Sequence, residues 1–190
     1  DVSGRIVAPG FIDAHIHLES SLVSPASFAR AVVPHGTTTV ITDPHEIANV
    51  CGTAGMDYMI AATEGLPLDV HFMLPSCVPA TPLDESGASL DYRAIDSFYD
   101  HPRVQGLAEM MNYPGILNAD SHTVAKIVAS QAHHKKIDGH APGLKGKDLN
   151  AYISAGVYSD HECADLEDAL LKLRLGQFIM VREGTAAKNL

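Results

Sequence analysis

A repeated alternation of short apolar runs and amphipathic stretches is the feature that most limits what this chain can fold into. Seven runs rich in apolar and β-branched residues end at polar residues, and stretches with a helical spacing of apolar residues separate them. The runs end near His17, Asp43, Leu74, Glu109, His140, His161 and Arg182. Consecutive ends mostly lie roughly 20 to 35 residues apart, which is the length of a βα unit. Strands that alternate with helices in this way predict a parallel sheet, open or closed.

Local signals agree with this alternation. Ser24 followed by Pro25 is typical of a helix start, and residues 37–41 form a β-branched run that is typical of a strand. The last helix is predicted over residues 164–175, where apolar residues recur at helical spacing. Those residues are Leu166, Ala169, Leu170 and Leu173. We interpret them as a stripe that packs against the rest of the protein.

The polar residues that follow the runs predict where a functional site lies. In a (β/α)8 barrel, the carboxyl ends of the strands carry the active site, and a complete barrel typically takes about 250 residues. This chain has 190 residues. We therefore expect residues 11–190 to form an incomplete (β/α)8 TIM-type barrel of about seven βα units without an eighth strand, and residues 1–10 to be a linker from a preceding segment. Open sheet edges would favour association, which leaves a homo-oligomer open.

Composition argues against several other classes of protein. Hydrophobic residues make up 46% of the chain and charged residues 19%, which is typical of a folded globular protein. The 13 basic and 23 acidic residues give a net charge of −10, so no nucleic-acid partner is expected. No apolar run approaches the roughly 18 residues of a membrane span, and no secretory signal is visible. Cys51, Cys77 and Cys163 form no CxxC pair, which favours a reducing cytoplasm.

Histidines and one glutamate at the ends of the runs are the candidate chemistry. His15 and His17 are two residues apart on a predicted strand, so their side chains share a face and could bind a metal ion. Glu109 closes a later run and could bridge two metal ions, with His140 and His161 supplying further ligands. The alternative is that the histidines are ordinary polar loop residues and that Glu109 faces solvent.

The other histidines give weaker signals. His45 follows a turn proline and could reach the site from the second loop. The remaining six are predicted to be structural or solvated: His35, His71, His101, His122, His133 and His134. The chain has no phosphate-binding P-loop and no GxGxxG fingerprint, and no base is evident beside a cysteine.

Longer strings of residues carry a resemblance to a known family. Residues 7–17, VAPGFIDAHIH, resemble the first-strand signature of the metal-dependent amidohydrolase superfamily. The later strings resemble the adenine deaminase family within it. They are residues 43–50, 74–81, 106–112, 138–144, 159–162 and 182–190. The resemblance runs along the whole chain in the same order.

The resemblance implies a binuclear metal enzyme with a small-molecule purine substrate. His15 and His17 would bind the first of two divalent ions, Glu109 would bridge both, and His140 and His161 would bind the second. The ions would be manganese or iron, with zinc as an alternative. The implied reaction is hydrolysis of adenine to hypoxanthine and ammonia by a metal-activated hydroxide, a step of purine salvage or adenine catabolism.

The resemblance also suggests assisting residues. Glu46 and Glu162 would help to move protons, and the loops at residues 75–81 and 110–113 would hold the purine. The superfamily's aspartate at the end of strand eight and its flanking β-sandwich are expected to lie outside this chain. Two alternatives stay open: another amidohydrolase acting on a cyclic amide or a different aminopurine, and a catalytically incomplete fragment that only binds metal or a partner subunit.

Overall fold

Parallel strands dominate the computed structural model, which describes residues 2–184. The first five strands form one sheet in chain order: β1 (Phe11–Ile16), β2 (Thr37–Thr42), β3 (Asp69–Leu74), β4 (Val104–Met110) and β5 (Lys136–Gly139). The last two, β6 (Ser159–Asp160) and β7 (Phe178–Ile179), pair with each other in parallel. A sheet of parallel strands in chain order confirms the predicted α/β class and fits part of a TIM-type barrel.

Helices connect the strands. They are α1 (Pro25–Val32), α2 (His45–Cys51), α3 (Thr53–Ala62), α4 (Tyr92–Asp96), α5 (Tyr113–Leu117), α6 (Ser121–Ala132), α7 (Gly146–Ser154) and α8 (Leu166–Arg174). Short side chains set several of their starts. Ser24 accepts a hydrogen bond from the Ser27 main chain at the start of α1, and Asp120 accepts one from Thr123 N, 2.8 Å away, at the start of α6. These are the capping contacts that satisfy unpaired amides at helix starts.

The core lies between the sheet and the helices. Alternate residues of β3, namely Val70, Phe72 and Leu74, are buried, as the two-residue period of a strand requires. They belong to one apolar cluster with helix residues such as Met56 and Ile95. On the other side of the sheet, Met73 and its neighbours line an open cleft of about 310 Å³.

The ends of the chain bear on two expectations. Residues 2–10 contain no helix or strand, so their role as a linker stays a prediction. Asp1 and residues 185–190 lie outside the described residues, and with them most of the string at residues 182–190. None of the helices in the described part of the chain has both the length and the apolar character needed to cross a membrane.

The predicted packing stripe of the last helix is wrong. The helix is present, but Leu166 is 74% exposed and Leu173 is 50% exposed, whereas Asp168 and Lys172 are buried. The physical reason is an ion pair: Lys172 Nζ lies 3.1 Å from Oδ2 of Asp160, next to the strand ends. This polar contact turns the leucines away from the core of the described residues.

The orientation of α8 can be tested by replacing one exposed leucine of this helix and, for comparison, one buried leucine of α7. Leu149→Ala removes a fully buried side chain and is expected to lower the free energy of unfolding by about 2 to 5 kcal/mol. Leu166→Ala is expected to change it by less than about 0.5 kcal/mol, because the side chain loses few contacts. Urea unfolding followed by circular dichroism measures both values. A cost for Leu166→Ala as large as that for Leu149→Ala would contradict the exposed orientation.

Candidate metal centre

The predicted site residues meet at one edge of the sheet. His15 lies in β1, and His17 follows it directly. Glu109 lies near the end of β4, while His140 and His161 follow β5 and β6. Because the strands are parallel, their carboxyl ends lie on the same side of the molecule. All five side chains therefore point to one small region, whose centre is Glu109.

Glu109 is buried, and histidines surround its two carboxylate oxygens. Oε1 lies 3.4 Å from His17 Nε2 and 3.3 Å from His45 Nδ1. Oε2 lies 2.7 Å from His140 Nδ1 and 3.0 Å from His161 Nε2. Burial opposes ionisation, but the contacts with His140 and His161 outweigh it and lower the pKa of Glu109. The carboxylate is therefore charged over the physiological range, as a metal ligand must be.

His15 is held as a neutral imidazole. Its ring stacks on that of His161, with centroids 3.7 Å apart. Burial, and then the proximity of His161, lower the pKa of His15 to about 3. Neutral imidazole is the form that binds metal ions. The buried Nε2 of His15 has no hydrogen-bonding partner among the described residues, so it remains available as a donor atom.

The tautomer of His17 is fixed by its neighbour. Nδ1 lies 2.9 Å from the main-chain oxygen of Asp43, which can only accept a hydrogen bond. Nδ1 therefore carries the proton, and in the neutral ring Nε2 presents a lone pair. That lone pair faces a carboxylate oxygen of Glu109. Two acceptors this close require a proton or a cation between them, so the arrangement fits a metal ion.

Asp43 and His45 lie in the same cluster; His45 was predicted only as able to reach the site, and Asp43 was not predicted as a site residue. Asp43 is 3% exposed, and its Oδ2 lies 2.7 Å from Nδ1 of His45. Burial opposes the charge on His45, but the hydrogen bond and charge of Asp43 raise its pKa to about 9. Oδ1 of Asp43 is buried without a hydrogen-bonding partner in residues 2–184. The available signal was position, because both residues follow the end of β2 at the same edge.

The two glutamates predicted to assist differ in their surroundings. Glu162 Oε1 lies 3.5 Å from His161 Nε2 and 3.8 Å from His140 Nδ1, and Arg182 Nη2 is 2.5 Å away. It therefore lies in the cluster. Glu46 is exposed and accepts a hydrogen bond from the Ser20 hydroxyl at the rim. It is in none of the groups of donor atoms found among the described residues.

Within residues 2–184, three groups of donor atoms are close enough to hold a metal ion. They are His17, Asp43, His45 and Glu109; His15, Glu109 and His161; and His140, His161 and Glu162. Within each group the donor atoms lie no more than 4.8 Å apart. Imidazole nitrogen and carboxylate oxygen suit first-row divalent metals. The six histidines predicted to be structural or solvated lie outside these groups.

Buried side chains outside the strands hold the strand ends in place. The Ser76 hydroxyl donates to the Glu109 main-chain oxygen. The Tyr152 hydroxyl donates to the main-chain oxygen of Met110 and accepts from His140 N, both at 2.8 Å. Tyr152 thus joins the end of β4 to the end of β5, which fixes the spacing of two of the site residues.

Two clefts differ in their relation to the site. One of about 490 Å³ is lined by residues such as Thr38 and Asp69, at the amino ends of β2 and β3 and away from the histidines. The other, of about 400 Å³, is lined by residues 76–82 together with Met110 and Asn112, which follow Glu109 in the chain. The second cleft therefore adjoins the edge that carries the site.

Histidines and a buried carboxylate gathered at the carboxyl ends of parallel strands define an α/β protein that fits part of a TIM-type barrel and has donor groups suited to a metal ion. The comparison with protein families then makes the assignment specific. The model of the amidohydrolase family matches residues 6–187, and the chain belongs to that family.

Curated relatives are similar over the whole of this chain. An adenine deaminase of Desulfatibacillum aliphaticivorans is 56% identical over 190 residues, which is 100% of this chain and 33% of that protein. Adenine deaminase 2 of Carboxydothermus hydrogenoformans is 55% identical, and an adenine deaminase of Clostridium acetobutylicum is 54% identical, each with the same shares covered. The chain thus spans about a third of the length of the curated relatives it matches.

Proposed function

We propose that the polypeptide containing this chain deaminates adenine by hydrolysis and releases hypoxanthine and ammonia. The observation that carries the proposal is the convergence of His15, His17, His140 and His161 on the buried Glu109. Such a set of donors suits metal-assisted hydrolysis. The choice of adenine is supported by the names of the relatives, which are more than half identical to this chain.

The proposed metal ligands are those that the sequence suggests. His15, His17 and Glu109 would hold the first ion, and Glu109, His140 and His161 the second. The neutral state of His15 and the fixed tautomer of His17 support this assignment. Asp43 and His45 lie in the same donor group as His17 and could extend the first set. Manganese or iron is proposed, with zinc as the alternative.

A pair of divalent ions, when bound, lowers the pKa of water and so supplies hydroxide near neutral pH. The net reaction adds water at the ring carbon that carries the amino group and breaks that C–N bond. One proton must reach the departing nitrogen, which is general acid–base work. Glu162 is the better placed of the two assisting glutamates, because it contacts His140 and His161 and Arg182 orients it. Glu46 would act from the rim.

The loops at residues 75–81 and 110–113 are proposed to hold the purine. The cleft of about 400 Å³ beside them supports this, because its volume falls in the range of small-molecule sites and its lining includes Met110, which follows Glu109 in the chain. Its lining includes residues 76–82, which follow β3, together with Asn112 and Thr123. Amides and hydroxyls of this kind can pair with ring nitrogens and an exocyclic amine.

The proposal extends to the number of barrel units in the chain, the cellular location and the oligomeric state. Tyr158 N donates to the Ile137 oxygen at 2.8 Å, which supports β6 and β7 as a continuation of the barrel wall beyond β5. Residues 11–190 would then supply about seven units of an eight-stranded barrel, and residues 1–10 would lead from a β-sandwich. We propose a cytoplasmic protein of purine salvage or adenine catabolism that forms a homo-oligomer.

Ammonia release from adenine tests the function. The longest natural polypeptide that contains these residues, hereafter the full-length protein, is loaded with manganese and assayed beside the 190-residue chain. We expect turnover of adenine by the full-length protein, with guanine, hydantoin and dihydroorotate as comparison substrates. Turnover of one of those in place of adenine would keep the metal centre and replace the substrate. Two bound metal ions without any turnover would favour a metal-binding protein without this activity.

A further inference from the structure

A buried ion pair connects the two loops that carry His140 and His161. Lys172 of α8 is fully buried, and its Nζ lies 3.1 Å from Oδ2 of Asp160. The same ammonium donates to the Ala141 main-chain oxygen at 2.9 Å and to Oδ2 of Asp168 at 3.0 Å. Ala141 directly follows His140, and Asp160 directly precedes His161. One cation therefore contacts both loops at once.

The carboxylate of Asp160 makes a second connection between these loops. Oδ2 accepts a hydrogen bond from Ala141 N at 3.0 Å, and Oδ1 accepts one from Glu162 N at 2.7 Å. These two amides belong to the residues that follow His140 and His161. A carboxylate offers two acceptor oxygens, whereas an amide side chain offers one. Asparagine at position 160 could therefore hold only one of the two loops.

The local backbone explains why such a connection is needed. In the described part of the chain β5 and β6 belong to different sheets, so no ladder of main-chain hydrogen bonds fixes their carboxyl ends. Tyr158 N to Ile137 O joins them further back, towards their amino ends. Beyond it, the joining contacts are made by side chains: the Ser159 hydroxyl on Asp138, and the Asp160–Lys172 pair.

Stability alone is a weak reason for this arrangement. Replacing a buried ion pair by apolar residues of similar volume is often neutral or stabilising, because both charges must be desolvated. An apolar pair could not accept hydrogen bonds from two main-chain amides, as Asp160 does. Burial disfavours the ammonium, but the carboxylates of Asp160 and Asp168 outweigh it and raise the pKa of Lys172. The Lys172 side chain is therefore charged.

We propose that Asp160, held by Lys172, is a positioning residue that sets the separation and tilt of the His140 and His161 rings. Their centroids lie 5.3 Å apart, with an interplanar angle of 68°. The inference rests on the proposed function, in which these two histidines bind the second metal ion. Neither Asp160 nor Lys172 belongs to a donor group in residues 2–184, so both act through the histidines.

Two isosteric replacements separate positioning from stability. Asp160→Asn and Asp168→Asn each remove one carboxylate charge about 3 Å from Lys172, at almost equal burial. Asp168 contacts the Cys163 side chain but accepts no hydrogen bond from the main-chain amide next to His140 or His161, which makes it the matched control. Manganese binding to the full-length protein is measured by equilibrium dialysis, and stability by thermal unfolding. Asp160→Asn is expected to weaken the affinity for the second manganese ion by about 10- to 100-fold and the affinity for the first by less than about threefold.

Asp168→Asn is expected to weaken the binding of neither ion by more than about threefold. It should lower the melting temperature about as much as Asp160→Asn does. The positioning role would be overturned if the two variants changed the manganese affinities equally. It would also be overturned if Asp160→Asn left the affinity for the second ion unchanged. If Asp160→Asn does not fold, Asp160→Glu replaces it, since it keeps the charge but shifts both acceptor oxygens and should show the same selective loss. Wild-type protein that binds two ions but leaves adenine unchanged would refute the substrate alone, and wild-type protein that binds none would refute both proposals.

Discussion

Glu109→Gln in the full-length protein is expected to abolish turnover of adenine and to remove at least one of the two metal ions. The side chain keeps its size, but it loses the charge and one of two acceptor oxygens that histidines surround on both sides. Four imidazoles would then share a neutral amide, which is a poor ligand for a divalent ion. We expect activity to fall by at least about 1,000-fold, equivalent to about 4 kcal/mol of transition-state stabilisation.

Metal content by mass spectrometry and ammonia release by a coupled assay measure the two effects. Glu64→Gln is the matched control, because its side chain is 69% exposed and its one ion pair, with Arg103, is long. That variant should retain both ions and full activity. A Glu109→Gln protein that folds, keeps two ions and still turns over adenine within about tenfold of wild type would refute Glu109 as the bridging ligand.

The convergence of the candidate site residues could be predicted because strand ends are visible in the sequence. Glu109, His140 and His161 each follow an apolar run, and parallel strands bring such ends together without any knowledge of long-range contacts. What spacing could not supply is the second layer of contacts. Asp43 was predicted only as the end of the second run, and its pairing with His45 depends on helix α2, which begins at His45.

The last helix shows the opposite difficulty. Its apolar residues recur at helical spacing, so the pattern favoured the leucine face as the buried one. The structure buries Asp168 and Lys172 because Lys172 pairs with Asp168 one turn away on the same helix and with Asp160, which lies outside the helix. A buried charge is stable only beside its partner, and that partner is set by tertiary structure. Periodicity is therefore a more reliable guide to the presence of a helix than to the face that the helix buries.

Gly139→Ala is expected to be strongly disruptive at the carboxyl end of β5, next to the candidate site. Gly139 ends β5 immediately before His140, and a Cβ atom there would lie far inside van der Waals contact with the Ser159 main-chain oxygen. It would also meet Val157 Cγ1 at 2.7 Å and the Tyr152 hydroxyl at 3.0 Å. The methyl group would thus push β6 away from β5 and disturb the hydroxyl that ties Met110 to His140.

We expect Gly139→Ala to lower the free energy of unfolding by about 3 kcal/mol or more, since a backbone oxygen cannot move aside as a flexible side chain can. Gly65→Ala is the matched control, because a Cβ there meets nothing within 4 Å and only the positive φ of +69° opposes it. That strain is worth about 1 to 2 kcal/mol.

Chemical unfolding and manganese dialysis on both variants distinguish the cases. If Gly139→Ala costs no more than Gly65→Ala and keeps both ions, the two strands do not approach as closely as described. If it selectively loses the second ion, the contact between β5 and β6 sets the geometry of His140 and His161, which is the same geometry that Asp160 is proposed to hold from the other side.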